Sequence, residues 1–130
     1  MFKPSAKLPT TRQISGAKGE TLALDFLRRA GLRHVASNVR SRGGELDLVM
    51  LDPAKAGATL VFVEVRLRAG GGYGGAAASV GAFKQSRLIT AAERYLQEHY
   101  ANRPPRCRFD VVTVDGEGKA EWLQDAFRKS

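Results

Sequence analysis

The sequence predicts one α/β domain, a mixed β-sheet with helices packed on it. Three observations predict it. Two strongly apolar runs of strand type, residues 46–51 and 59–67, flank the turn-forming segment Asp52-Pro53-Ala54-Lys55-Ala56-Gly57. Residues 16–30 and 79–100 carry apolar side chains at helical spacing. The elements then follow in the order α-β-β-β-α-β-β, with helices interleaved among strands rather than gathered at one end. A chain of 130 residues suffices for one compact core and falls short of two.

Each element has its own local warrant. Residues 1–14 hold two prolines and scattered basic side chains without periodicity, and read as a basic flexible tail ahead of a domain over 15–130. In the first helix Ala23, Phe26, Leu27 and Ala30 recur on one face, and Gly31 supplies the stop. Residues 35–39 form a short strand candidate. The run 46–51 is a stronger one, and 59–67 is expected to fold back antiparallel to it. A Gly/Ala-rich loop covers 69–78. The second helix is expected over 79–100, with Ser79 as cap and Val80, Phe83, Leu88, Ala91, Ala92, Tyr95 and Leu96 as its inner stripe. Pro104 and Pro105 forbid its continuation. Residues 108–114 are a strand, Asp115-Gly116-Glu117-Gly118 a turn, and 120–123 a last short strand.

Composition narrows the function classes. No apolar run approaches the roughly 18 residues of a membrane span, and no apolar core follows the early basic residues as a secretory signal requires. The single cysteine, Cys107, cannot close an internal disulfide or build a zinc site. A cytoplasmic location is the expectation. The formal net charge of +8 and the two-to-one excess of arginine over lysine favour a polyanionic partner, nucleic acid before membrane. The charge is also unevenly spread. No Asp or Glu occurs over residues 1–19 or 65–92, where Lys3, Lys7, Arg12, Lys18, Arg66, Arg68, Lys84 and Arg87 lie.

The chemistry is expected on the two central strands. Glu45 and Asp47 alternate with apolar residues in one, Glu64 and Arg66 in the other, so each pair shares a face. Carboxylates in apolar strands are usually paired or bound to a metal. Hydrolysis of a phosphodiester needs an activated water and neutralised oxyanion charge, and Mg²⁺ or Mn²⁺ held by one or two carboxylates supplies both. Asp47 and Glu64 on adjacent strands suit that task, and Arg66 is placed to stabilise the attacked phosphate. The bland alternative is a structural ion pair closed by Arg66 or Arg40.

These residues carry a family resemblance. Asp47 followed by Glu64-Val65-Arg66 resembles the metal-binding signature of the PD-(D/E)XK, restriction-endonuclease-like fold. Gly19-Glu20, Asn38-Val39-Arg40, Gly44-Glu45-Leu46-Asp47-Leu48, Phe62-Val63-Glu64-Val65 and Arg108-Phe109-Asp110-Val111-Val112, with Lys84 and Ala126-Phe127, resemble the YraN family over residues 16–127. That family is described as endonucleases akin to archaeal Holliday-junction resolvases. The resemblance implies a Mg²⁺-dependent site with Asp47 and Glu64 as ligands and the Val65 carbonyl as a third. It implies that Glu20 reaches the metal or its waters and that Lys84 touches phosphate or the acidic cluster. Structured or branched DNA would be the substrate, and resolvase-like relatives are commonly homodimers. One departure stands out: Arg66 occupies the place where the family pattern has lysine. Arginine does not release its proton, so any step that needs a neutral amine is closed to it.

Further candidates for nucleic-acid contact are Arg40, Arg42, Arg68, Lys84 and Arg87, with Tyr73 either stacking on a base or anchoring its loop. Lys84 and Arg87 are expected on the polar side of the second helix. Asp110 is expected to pair with Arg108 two residues before it. Gly70-Gly71-Gly72-Tyr73-Gly74-Gly75 satisfies a dinucleotide-binding spacing by glycine density alone, with no helix opening directly after it. The rival function is a nucleic-acid-binding protein with little or no catalysis.

Overall fold

The structure, a computed structural model, describes residues 16–54, 57–68 and 79–129. The expected basic tail and the Gly/Ala-rich loop with Tyr73 lie outside them. The elements are α1 (Gly16–Arg29), β1 (Arg33–Ser41), β2 (Gly44–Asp52), β3 (Thr59–Arg68), α2 (Ala82–His99), β4 (Arg106–Asp115) and β5 (Ala120–Phe127). The five strands form one sheet in chain order, antiparallel except for the parallel pair β3/β4. That parallel pair needs a long crossover, which α2 provides. The expected mixed α/β fold and element order are those observed.

Each face of the sheet is covered by one helix. Gly19, Ala23 and Leu27, four residues apart, are the buried line of α1. Ala23, Leu27 and Leu32 pack with Leu48, Met50, Val61, Val63, Val112 and Val114. Helix α1 ends in a Schellman motif: Gly31 adopts φ 103°, its N–H donates to Arg28, and Leu32 N–H donates to the Leu27 carbonyl at 3.0 Å. On the other face Leu88, Ala91, Ala92 and Tyr95 of α2 cover Leu46, Val49, Leu60, Phe62 and Val111. The central strands β2, β3 and β4 thus carry nearly unbroken apolar runs where both of their faces are buried.

Helix α2 departs from expectation at its start. It begins at Ala82 with Gly81 as N-cap and no side-chain cap, so Ser79 is not the cap. Phe83 is not on the inner stripe either, and is 77% exposed. It stands five residues before Leu88, about 140° round the helix from the buried line, whereas Lys84, four residues before, stands about 40° from it. Lys84 therefore borders the buried line, still exposed as expected, with its ammonium reaching Glu64.

The turn joining β1 and β2 presses against α2. A Cβ on Gly43 would come within 2.3 Å of Thr90 Cγ2, and one on Gly44 within 3.0 Å of the Arg87 backbone oxygen. Backbone cannot swing away as a side-chain tip can. Gly44→Ala is expected to lower stability by about 1–3 kcal/mol through overpacking, read as a drop in urea midpoint, and an unchanged midpoint would contradict this packing.

Candidate functional site

Strand β3 pairs with β4 along its whole length, from Thr59↔Arg106 to Arg68↔Asp115. Its ladder with β2 is half as long, running from Asp52↔Thr59 to Leu48↔Val63. Beyond Leu48 and Val63 the two strands part. Inside β2 the alternation of faces breaks at the same place, since Leu46 packs under α2 while Leu48 packs under α1. Asp47 sits in that break. Its carboxylate takes the place of a strand carbonyl, accepting the Val65 N–H at 2.9 Å. In extended backbone the N–H and C=O of one residue face the same neighbouring strand, so the Val65 carbonyl is also turned to the Asp47 side.

Glu64 lies on the α2 face of β3 and is 8% exposed. The Asp47 and Glu64 carboxyl groups adjoin closely enough that each shifts the titration of the other. Lys84 Nζ lies 3.5 Å from Glu64 Oε2. Burial, and then the charge of Asp47, push Glu64 up from 4.5 to about 7, with Lys84 opposing only in part. Burial also raises Asp47, against the pull of the Val65 N–H. Two carboxyl groups sharing one desolvated space cannot both ionise cheaply, and the Asp47 charge raises Glu64 for that reason. Glu20 on α1 feels the same field: burial and then the Asp47 charge raise it, while a hydrogen bond with Asn38 lowers it.

The expected site residues divide as follows. Asp47 and Glu64 adjoin, Lys84 reaches Glu64, and Glu20 on α1 feels the Asp47 charge. Arg66 does not face the pair with a free guanidinium, because its Nη1 donates to the Ser79 carbonyl. Arg40 is exposed and pairs with Glu45 at 3.5 Å. Arg42 is exposed in the β1–β2 turn. Arg87 donates to the Gly43 carbonyl at 3.3 Å and lies over the Phe83 ring. Arg68 is a correction: it is buried between Asp115 and Glu121, at 3.5 and 3.3 Å, and so is not presented to a ligand. Its place on β3, continuing the inward parity of Glu64 and Arg66, turns it onto the sheet.

In the sequence Asn38 figures only as part of a family motif, with no role of its own. It adopts φ 50°, a left-handed conformation that asparagine tolerates better than most residues, within β1. That conformation lies where β1 passes Asp47 without a regular pair, between Ser37↔Leu48 and Val39↔Leu46. An asparagine among strand-forming residues was the available signal.

The remaining buried carboxylate serves the fold. Asp110 accepts from Arg108 Nε at 3.0 Å, Trp122 Nε1 at 2.9 Å and the Asp125 N–H at 2.9 Å. Arg108 also reaches Asp52 at 2.9 Å, so the expected Arg108–Asp110 pair is part of a larger network. An open cleft lies where β4 begins and β5 ends, far along the sheet from the acidic pair. Its Arg108, Arg128 and Lys129 are engaged by Asp110, Asp125 and Glu93.

The acidic pair fits a hard divalent cation by its chemistry: two oxygen-bearing side chains, desolvated and mutually repelling, with one partly exposed lysine to balance them. Among the described residues no three His, Cys, Asp or Glu side chains are gathered to hold a metal alone. A magnesium ion does not need three, since it commonly keeps several waters beside one or two carboxylates.

A mixed five-stranded sheet, a helix on each face and a carboxylate pair where two strands part define an α/β protein with its site on the sheet rather than in a loop cleft. Residues 19–114 match the model of the Uncharacterised protein family UPF0102, and the chain belongs to that family. It is 52% identical over 126 residues to a UPF0102 protein of Cupriavidus necator, covering 97% of this chain and 91% of that one. A UPF0102 protein of Pseudomonas syringae is 49% identical over 124 residues, covering 91% of this chain and 96% of that one. No helix among the described residues is long and apolar enough to cross a membrane.

Proposed function

We propose that this protein is a metal-dependent endonuclease acting on structured or branched DNA, as the resemblance to the YraN family and the PD-(D/E)XK fold implies. The observation that carries the reading is the desolvated Asp47–Glu64 pair at the parting of β2 and β3. Asp47, Glu64 and the Val65 carbonyl would hold Mg²⁺ or Mn²⁺. When bound, the ion supplies an activated water and neutralises phosphate charge. The Val65 N–H holds the Asp47 carboxylate in place. Glu20, raised by burial and the Asp47 charge, accepts a proton or a water hydrogen bond at the rim. Lys84 balances Glu64 and stands ready for a phosphate oxygen. Arg40, Arg42 and Arg87 extend positive charge around the rim, which favours a nucleic-acid backbone and makes binding salt-sensitive.

The test is cleavage of a labelled four-way junction and a matched linear duplex in Mg²⁺ or Mn²⁺. Wild type is expected to cut the junction, and Asp47→Ala and Glu64→Ala to lose detectable cleavage while retaining binding. Cleavage that survives both substitutions would sink the proposal.

The second reading, a nucleic-acid binder of this fold with little catalysis, is favoured by one observation. Arg66 keeps its proton and is tied to the Ser79 carbonyl. The two readings separate on Arg66→Lys, expected to raise Mn²⁺-dependent cleavage by about tenfold or more if the missing amine limits turnover. Equal rates in the two proteins would show that it does not, and no cleavage by either favours the binder.

A further inference from the structure

We propose that Phe83 is a stacking platform for an unpaired base, so that the nucleic acid at the acidic pair carries a single-stranded segment beside it. This rests on the reading that the site takes nucleic acid. Phe83 is 77% exposed, well beyond Val35, Leu67 and Leu123, the other exposed large apolar side chains among the described residues. A phenylalanine left in water on the first turn of a helix forgoes the burial that ordinarily accounts for its presence. Nothing in helix propensity favours it there over lysine or glutamine.

Its neighbours give it a direction. The Arg87 guanidinium stands 5.9 Å from the ring centroid, one turn on, and a cation over an aromatic face steadies the ring. Lys84, the next residue, touches the Glu64 carboxylate. Arg66 binds the Ser79 carbonyl just before the helix, and Arg42 lies in the turn against which Arg87 is anchored. An exposed aromatic ring with a guanidinium over its face, on the helix whose next residue reaches the acidic pair, complements a polyanion that carries flat apolar groups. Single-stranded nucleic acid is that ligand, with bases stacked on aromatic side chains and phosphates on Lys and Arg. A protein partner would want apolar company around the ring, but the helix flank that Phe83 shares holds Arg87, Thr90 and Arg94. Bases inside a duplex have no free face, so the platform selects strands that are unpaired or splayed, as at a junction or flap.

The test uses the full chain in EDTA, with a fluorescein-labelled oligothymidylate and a blunt duplex of equal length. Phe83→Ala is expected to weaken single-strand binding by about tenfold and to leave duplex binding within about twofold. Phe83→Leu should behave like alanine, because it keeps the apolar bulk and loses the ring face. Phe83→Trp should retain affinity and show a fluorescence quench on the single strand, absent on the duplex and absent in wild type, whose one tryptophan packs against Phe26. Equal single-strand affinity in wild type and Phe83→Ala, or equal losses on both ligands, overturns the proposal. So does an oligomer of wild type that Phe83→Ala dissolves, which would assign the ring to a second copy of this chain. Cleavage is scored separately in Mn²⁺. Wild type that cuts blunt duplex without a Phe83 effect overturns the platform and leaves the nuclease. Ring-dependent binding with no cleavage under any metal does the reverse.

Discussion

Asp110→Ala is expected to destabilise the protein by about 3–5 kcal/mol, the usual consequence of removing one partner from a buried charge network. The side chain is 0% exposed and serves three donors on two strands. It also fills a distortion in the sheet. The β4/β5 register changes between Phe109↔Phe127 and Val111↔Leu123, so β5 carries two extra residues there. Asp125, at φ 53°, turns its N–H inward to the Asp110 carboxylate. Alanine strands that N–H, the Trp122 indole N–H and part of the Arg108 guanidinium, each without a substitute acceptor. A domain of this size is stable by roughly 5–15 kcal/mol, so the variant should melt far below wild type. Trp122 is the chain's one tryptophan and reports the change directly in urea titrations. Asp110→Asn keeps one oxygen acceptor and should lose less. A loss under about 1 kcal/mol for the alanine variant would mean the network does not hold β5.

Glu64→Gln is expected to do the opposite, stabilising the metal-free protein above neutral pH while removing metal binding. In the fold Glu64 is raised to about 7 from 4.5. Between those values the folded chain holds a proton that the unfolded chain has released. The stability contributed by this group is therefore full below about 4.5 and falls as pH rises through about 7. Allowing for solvent screening and for sharing with Asp47, the loss is on the order of 2 kcal/mol. Glutamine carries no charge to desolvate, so the variant should lack that decline. Denaturation at pH 5 and pH 8 in EDTA, for both proteins, measures it. Millimolar Mg²⁺ should restore the wild type at pH 8, because a ligand of the folded state adds stability, and leave the variant unmoved. Parallel pH dependence in the two proteins would remove Glu64 as the strained group.

Much of this arrangement was legible in the chain. The strand runs, the Pro-containing turn at 52–57 and the two helical stretches follow from side-chain periodicity and backbone preference, which are local. That Asp47 and Glu64 lie at the same level of adjacent strands was legible too, because a tight connection makes those strands antiparallel. The alternation of faces nevertheless breaks at Asp47 itself. Errors gathered where the answer depended on phase. Phe83 looked like the next member of an apolar stripe, yet a helix turns 100° per residue and places it well off the buried line. Arg68 looked like one more exposed cation in an acid-free stretch. Asp115 and Glu121, far along the chain, enclose it.

By itself the sequence determined the element order, the mixed sheet, the positive charge and the identity of the two carboxylates. Each depends on neighbours a few residues away or on a sum over the whole chain. The tertiary structure alone decided that β2 leaves β3 after Leu48 and Val63 and that Asp47 takes up the Val65 N–H. It also decided that Lys84 reaches Glu64 while Phe83 is left facing water. These outcomes turn on which groups from distant segments share one desolvated space. The strength of a charge or a hydrogen bond is set by that surrounding medium, and no single stretch of chain carries it.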